Sequence, residues 1–118
     1  MKALFVGCAM AVAAVGALLP IRAEAVVQYG SSTYYFDASN HVVGQSILYC
    51  DNKPYHWGIS PQGNSISIRY SCDTTTAVSL AFPPNMDPVV RNAFCAESGA
   101  CEVGPYPYPG SPPLERGY

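Results

Sequence analysis

Cysteine is the residue type with the clearest chemistry in this chain. Cys50, Cys72, Cys95 and Cys101 lie in its downstream part, and Cys8 stands alone near the start. A thiolate is a nucleophile, a metal ligand or half of a disulfide, and spacing helps to separate these uses. No Cys-x-x-Cys pair occurs, and neither His41 nor His56 has a companion at zinc-finger spacing, so no metal and no cofactor are expected. An even set of four in an exported chain reads as two disulfides, for which three pairings exist. Nearness in sequence favours Cys50 with Cys72 and Cys95 with Cys101. In the chain-entropy view the two closures are worth about 3 and about 2 kcal/mol. Oxidised cysteines leave no free thiolate, and the serines form no Gly-x-Ser-x-Gly elbow. His56 has Asp37 or Asp51 as candidate orienting carboxylates, but nothing in the spacing joins them. The acids fall mostly in turns rather than in facing pairs. The expectation is therefore a protein without catalytic residues.

Aromatic side chains are the next signal. Tyr29, Tyr34, Tyr35, Tyr49, Tyr55, Trp57 and Tyr70 crowd one stretch. Some must fill a core, because Tyr and Trp supply large apolar volume and keep a polar tip. Others would form an exposed platform that stacks on sugar rings or on a partner protein. Tyr34, Tyr35, Tyr55 and Trp57 are the expected binding surface. The competing explanation is that tyrosine simply suits a pleated sheet.

Disulfides need an oxidising compartment, and the start of the chain supplies the route. Lys2 gives a positive beginning, residues 3–19 carry no charge, Pro20 breaks the run, and Ala23-Glu24-Ala25 offers small residues to a signal peptidase. This order predicts a secretory signal peptide over residues 1–25, removed together with Cys8. The uncharged run is slightly shorter than the roughly 20 residues of a membrane span, so no stable anchor is expected after cleavage. The protein is expected to be secreted or periplasmic. Past residue 25 the basic residues are Lys53, Arg69, Arg91 and Arg116, scattered among seven acids. Without a basic patch, neither nucleic acid nor an anionic membrane surface is an expected partner.

The elements that must position these residues are mostly strands. Residues 33–36, 42–50, 55–60, 65–72 and 74–82 are β-branched, aromatic or alternating, with turn chemistry between them. The clearest is 65–72, where Ile66, Ile68, Tyr70 and Cys72 share one face and Ser65, Ser67, Arg69 and Ser71 the other. The first four suggest an antiparallel meander. In such a sheet, strands two apart lie about 9.6 Å from each other, too far for a disulfide. Cys50 and Cys72 must then pair where the chain leaves the sheet, unless their strands are direct neighbours. Asp87 followed by Pro88 reads as a helix start and Gly99 as a helix end, giving a short helix over residues 88–97 with Val89, Val90, Ala93 and Phe94 as its apolar face. From residue 104 the chain is Pro, Tyr and Gly, and a mobile tail is expected. The expected fold is mostly β: a small antiparallel sheet of 4–5 strands with one short helix, stapled by disulfides, over residues 26–103, then a disordered tail over 104–118.

Thr33-Tyr34-Tyr35-Phe36-Asp37, Val43-Gly44, Cys50, Trp57-Gly58 and Tyr70-Ser71-Cys72 together resemble a group of small exported bacterial proteins classed only as a domain of unknown function. The resemblance covers residues 26–72 and departs from residue 73 onward. It implies export and a bacterial source, and Cys50 and Cys72 match its two cysteines. It implies no activity, cofactor or catalytic residue. The functional expectation is a non-enzymatic binding or interaction module whose partner is a glycan or an envelope protein. The alternative is a secreted effector, either an antimicrobial-type protein or a peptidase inhibitor presenting Asp51 to Pro54. A small hydrolase comes last.

Overall fold

Strict alternation puts one row of side chains on each face of a strand, and here it builds a single sheet with one packed face. A computed structural model describes residues 28–118. The expected signal segment and Cys8 lie outside the described residues. The strands are β1 (Tyr29–Phe36), β2 (Val42–Leu48), β3 (Pro54–Gly58), β4 (Ser65–Ser71), β5 (Ala77–Ala81) and β6 (Glu115–Arg116), with one helix, α1 (Pro88–Ser98), before β6. All pairings are antiparallel, in the order β5-β4-β1-β2-β3-β6. The mostly-β antiparallel expectation holds, with a sixth strand added.

The simple meander does not hold at β4. β1, β2 and β3 follow one another in space, but β4 returns to pair with β1, giving the order β4-β1-β2-β3 of a Greek key. The reason is burial. With a neighbour on each side, β1 places Ser32, Tyr34 and Phe36 in a continuous buried row. Tyr34 lies between Gln45 of β2 and Ile66 of β4. The returning segment is tied down by Ile59 N–H donating to Val43 O (3.1 Å) and Phe36 N–H to Asn64 O (2.9 Å).

The core is Tyr34, Phe36, Ile66, Ile68 and Tyr70 under Phe94 of α1 and Ala100. Phe94 meets Tyr34 edge-on at 4.9 Å and stacks on Tyr108 at 6.2 Å. Each such large side chain contributes roughly 1.5–3 kcal/mol on burial. Asp87 caps α1 by accepting from Val89 N–H at 2.9 Å, and Gly99 ends it in the left-handed region at φ 70°. The apolar face is narrower than expected. Phe94 is the buried residue of the helix, Val89 is 73% exposed and Ala93 is exposed too. A single helix resting on a small sheet needs only one stripe in contact.

Both disulfides pair as nearness suggests. β2 and β4 are separated by β1, and Cys50 and Cys72 lie just beyond their ends. There the Cα atoms approach to 5.9 Å, closer than the roughly 9.6 Å across an intervening strand. The second bridge ties the last turn of α1 to the loop that follows.

Residues 104–118 are docked, which corrects the expectation of a mobile tail. Gln45, 1% exposed, donates to Tyr106 O (2.9 Å) and accepts from Tyr108 N–H (2.9 Å). Tyr108 covers Tyr34 and Phe94. β6 then pairs with β3. The sheet leaves a buried amide and two core rings that only this segment completes. Among the described residues, no helix is long and apolar enough to cross a membrane.

Candidate binding face

The opposite face of the sheet has no helix on it, since the one helix among the described residues packs against Tyr34 and Phe36. Side chains alternate along a pleated strand, so Ser31, Thr33 and Tyr35 of β1 point away from the core. Register fixes their neighbours. Ser31 lies between Leu48 and Arg69, Thr33 between Ser46 and Ser67, and Tyr35 between Gly44 and Ser65. The result is a set of cross-strand rows made largely of hydroxyls. Thr33 Oγ1 and Ser67 Oγ are 3.1 Å apart, and Tyr35 Oη and Ser46 Oγ 3.2 Å.

A hollow of about 360 Å³ lies on this face, lined by Ser31, Thr33, Tyr35, Ser46, Ser60 and Tyr118 among others. A second, of about 250 Å³, continues past Tyr35 to Gln62 and Ser65. At the far end the Arg69 guanidinium sits 5.1 Å from the centre of the Tyr29 ring. Gly44 is needed here for close approach, because a Cβ on it would run into the backbone of Ile59.

Of the four residues expected to form a binding surface, only Tyr35 opens onto this face. Tyr34 is 1% exposed, and burial pushes its hydroxyl above the usual phenol range. Trp57 is 9% exposed and donates its indole N–H to Gln45 Oε1 at 2.8 Å. Tyr55 is half-buried on the same side as Trp57, next to Tyr49 at 5.6 Å. Adjacent residues on a strand must diverge, so a Tyr-Tyr pair cannot serve one surface. Tyr29 and Tyr118 flank the open face and were not in that set. Nor were its hydroxyls. The alternation of Ser65, Ser67 and Arg69 marks a wet face in the sequence. The placement of Ser31 and Thr33 beside them depends on the β1–β4 pairing.

A separate groove of about 380 Å³ runs between α1 and the β1–β2 turn, over Phe36, Phe94 and Tyr108, with His41 and Glu97 on its rim. Asp37 organises that turn by accepting from Ser39 N–H (2.8 Å) and His41 N–H (2.9 Å). The His41 backbone bond, foremost, holds the carboxyl below its usual range. The Asp51 loop is a closed turn. Asn52 N–H donates to Tyr49 O (2.9 Å), Lys53 N–H to Asp51 Oδ1 (3.0 Å), and Asn52 has φ 66°. It is not the extended segment that strand-addition clefts accept. Among the described residues, no cluster of three or more His, Cys, Asp or Glu is arranged to hold a metal ion.

The sheet that carries the open face is also where the likeness to other proteins falls. Residues 30–73 match a family of unknown function, DUF6289. The resemblance over residues 26–72 to a domain of unknown function is thereby met. The DUF6289 match runs from β1 through β4 and takes in Cys50 and Cys72, so it spans the Greek key, its disulfide and the central hydroxyl rows. β5, α1, the second disulfide and the docked segment lie outside it. No curated protein and no solved structure matches the chain.

Proposed function

We propose that this protein is an exported, non-enzymatic binding module that takes a short neutral glycan on the open face of its sheet. The observation that carries the reading is the arrangement of Thr33 between Ser46 and Ser67, with Tyr35 beside them, along a hollow of about 360 Å³. A hydroxyl both donates and accepts, so a row of them matches sugar hydroxyls in either sense. A tyrosine ring offers a flat apolar surface at low entropic cost. Arg69 and His56 are the only basic side chains on these rows, which favours an uncharged ligand. The hollow is also within the size range of small-ligand sites, roughly 300–1,000 Å³. Two disulfides fit an oxidising compartment. The signal segment read in residues 1–25 leads there, to secretion or the periplasm, where glycans are abundant.

The test is calorimetric or NMR titration of the disulfide-bonded protein with maltotriose, cellotriose and chitotriose. Binding of at least one is expected, with Tyr35→Ala weakening it about fivefold, corresponding to about 1 kcal/mol for the lost aromatic contact. Tyr35→Ala binding as well as the unmodified protein, or no binding to any of the three, would sink the reading.

A further inference from the structure

We propose that residues 115–118 form a movable wall of the open-face site and that protonation of His56 holds the wall closed; only the ligand's identity rests on the glycan reading above. Tyr118 lines the hollow together with Tyr35 and Ser46. Its position is set by a short attachment. β6 pairs with β3 through two residues only, Tyr55 with Arg116 and His56 with Glu115, and Gly117 N–H donates to Pro54 O at 3.0 Å. Two-residue pairing at a sheet edge is weak alone. The remaining hold comes from the Arg116 guanidinium over the Tyr55 ring and from His56.

The His56 ring meets residues 115–118 at three points. Nδ1 is 3.2 Å from Gly117 O, Nε2 is 3.6 Å from Glu115 Oε1, and the ring centre is 3.9 Å from that of Tyr118. Gly117 O and the Glu115 carboxylate are both acceptors. A neutral imidazole carries one N–H, so it serves one acceptor and turns a lone pair toward the other. The imidazolium donates to Gly117 O and forms an ion pair with the Glu115 carboxylate. Closure and proton uptake therefore favour each other. Among the described residues, Glu115 is the acid that forms an ion pair with the ring. Ser46, opposite on β2, is neutral, and the Arg116 guanidinium lies over Tyr55, 5.8 Å from its ring centre.

The sign follows directly. Closure is strongest with the imidazole protonated and the Glu115 carboxylate charged, and it is lost when the ring gives up its proton. Glu115 is 78% exposed at its side chain, so solvent screens the pair and the effect is modest, about two- to fivefold.

Amide protection at Gly117, measured by NMR hydrogen exchange at pH 5.5 and 7.5, tests the wall directly. Protection about two- to fivefold higher at pH 5.5 is expected, with the response flattened in Glu115→Gln and absent in His56→Asn. Equal protection at the two pH values, or an unchanged response in His56→Asn, overturns the proposal. Titration with maltotriose, cellotriose and chitotriose at both pH values separates the two claims. Sugar binding that tightens at pH 5.5 by the same factor supports the coupling. Sugar binding of equal strength at both overturns it. If protection follows pH while none of the three sugars binds, the glycan reading fails and the proton-held wall stands.

Discussion

Gln45 is a buried polar residue on which much of this structure converges. Its amide donates to Ser32 Oγ (2.6 Å) and Tyr106 O (2.9 Å) and accepts from Trp57 Nε1 (2.8 Å) and Tyr108 N (2.9 Å). These four bonds use its full capacity. One buried side chain thus links three strands to residues 106–108. Gln45→Leu keeps much of the volume but strands two N–H donors and a carbonyl. An unsatisfied buried group costs about 1–3 kcal/mol, so a loss of about 3 kcal/mol is expected from urea unfolding. Hydrogen exchange should show residues 106–108 losing protection before β1 does. A midpoint within experimental error of the unmodified protein would refute this role. Sequence patterning marks Gln45 only as a strand residue. Its importance comes from what the rest of the chain brings to it.

At the scale of elements, the disulfides do different work. Cys50–Cys72 closes a separation of 22 residues and bridges β2 to β4 past the end of β1. Cys95–Cys101 closes 6 residues at the end of α1. Paired replacement by serine should cost about 3 kcal/mol for the first and about 2 kcal/mol for the second, read as the shift in urea midpoint at constant slope. A larger loss from the Cys95–Cys101 pair would show that strain or residual structure outweighs loop entropy. The strands themselves were legible. β4 was placed within a residue because its alternation is strict, and α1 because Asp87, Pro88 and Gly99 punctuate it. Strand order was not legible, because a hydrophobic pattern says which side of a strand is buried but not which strand lies beside it.

At the scale of the molecule, residues 104–118 finish the domain rather than trail from it. Gly104 passes so close to the Tyr70 ring that a Cβ there would come within 2.7 Å of it. Tyr70 Oη in turn donates to Ala100 O at 2.7 Å, and its burial raises its pKa far above the ordinary phenol value. A chain ended after Val103 should lose the cover over Tyr34 and Phe94 and the partners of Gln45. Increased binding of the dye ANS and a broadened, less cooperative urea transition are expected. A sharp transition without dye binding would mean that the remaining sheet and helix suffice.

Spacing, caps and period-two alternation within short segments are enough to place the first five strands, the helix and its ends and the wet face of β4, and nearness of the cysteines favours the pairing that the structure has. The three-dimensional fold is what makes Tyr34 and Trp57 core, docks the proline-tyrosine segment, and joins Ser31 and Thr33 to Ser46 and Ser67 in one open surface. Those outcomes depend on which strand neighbours β1 and on which buried groups still lack partners. Both are set by contacts between residues far apart in the chain.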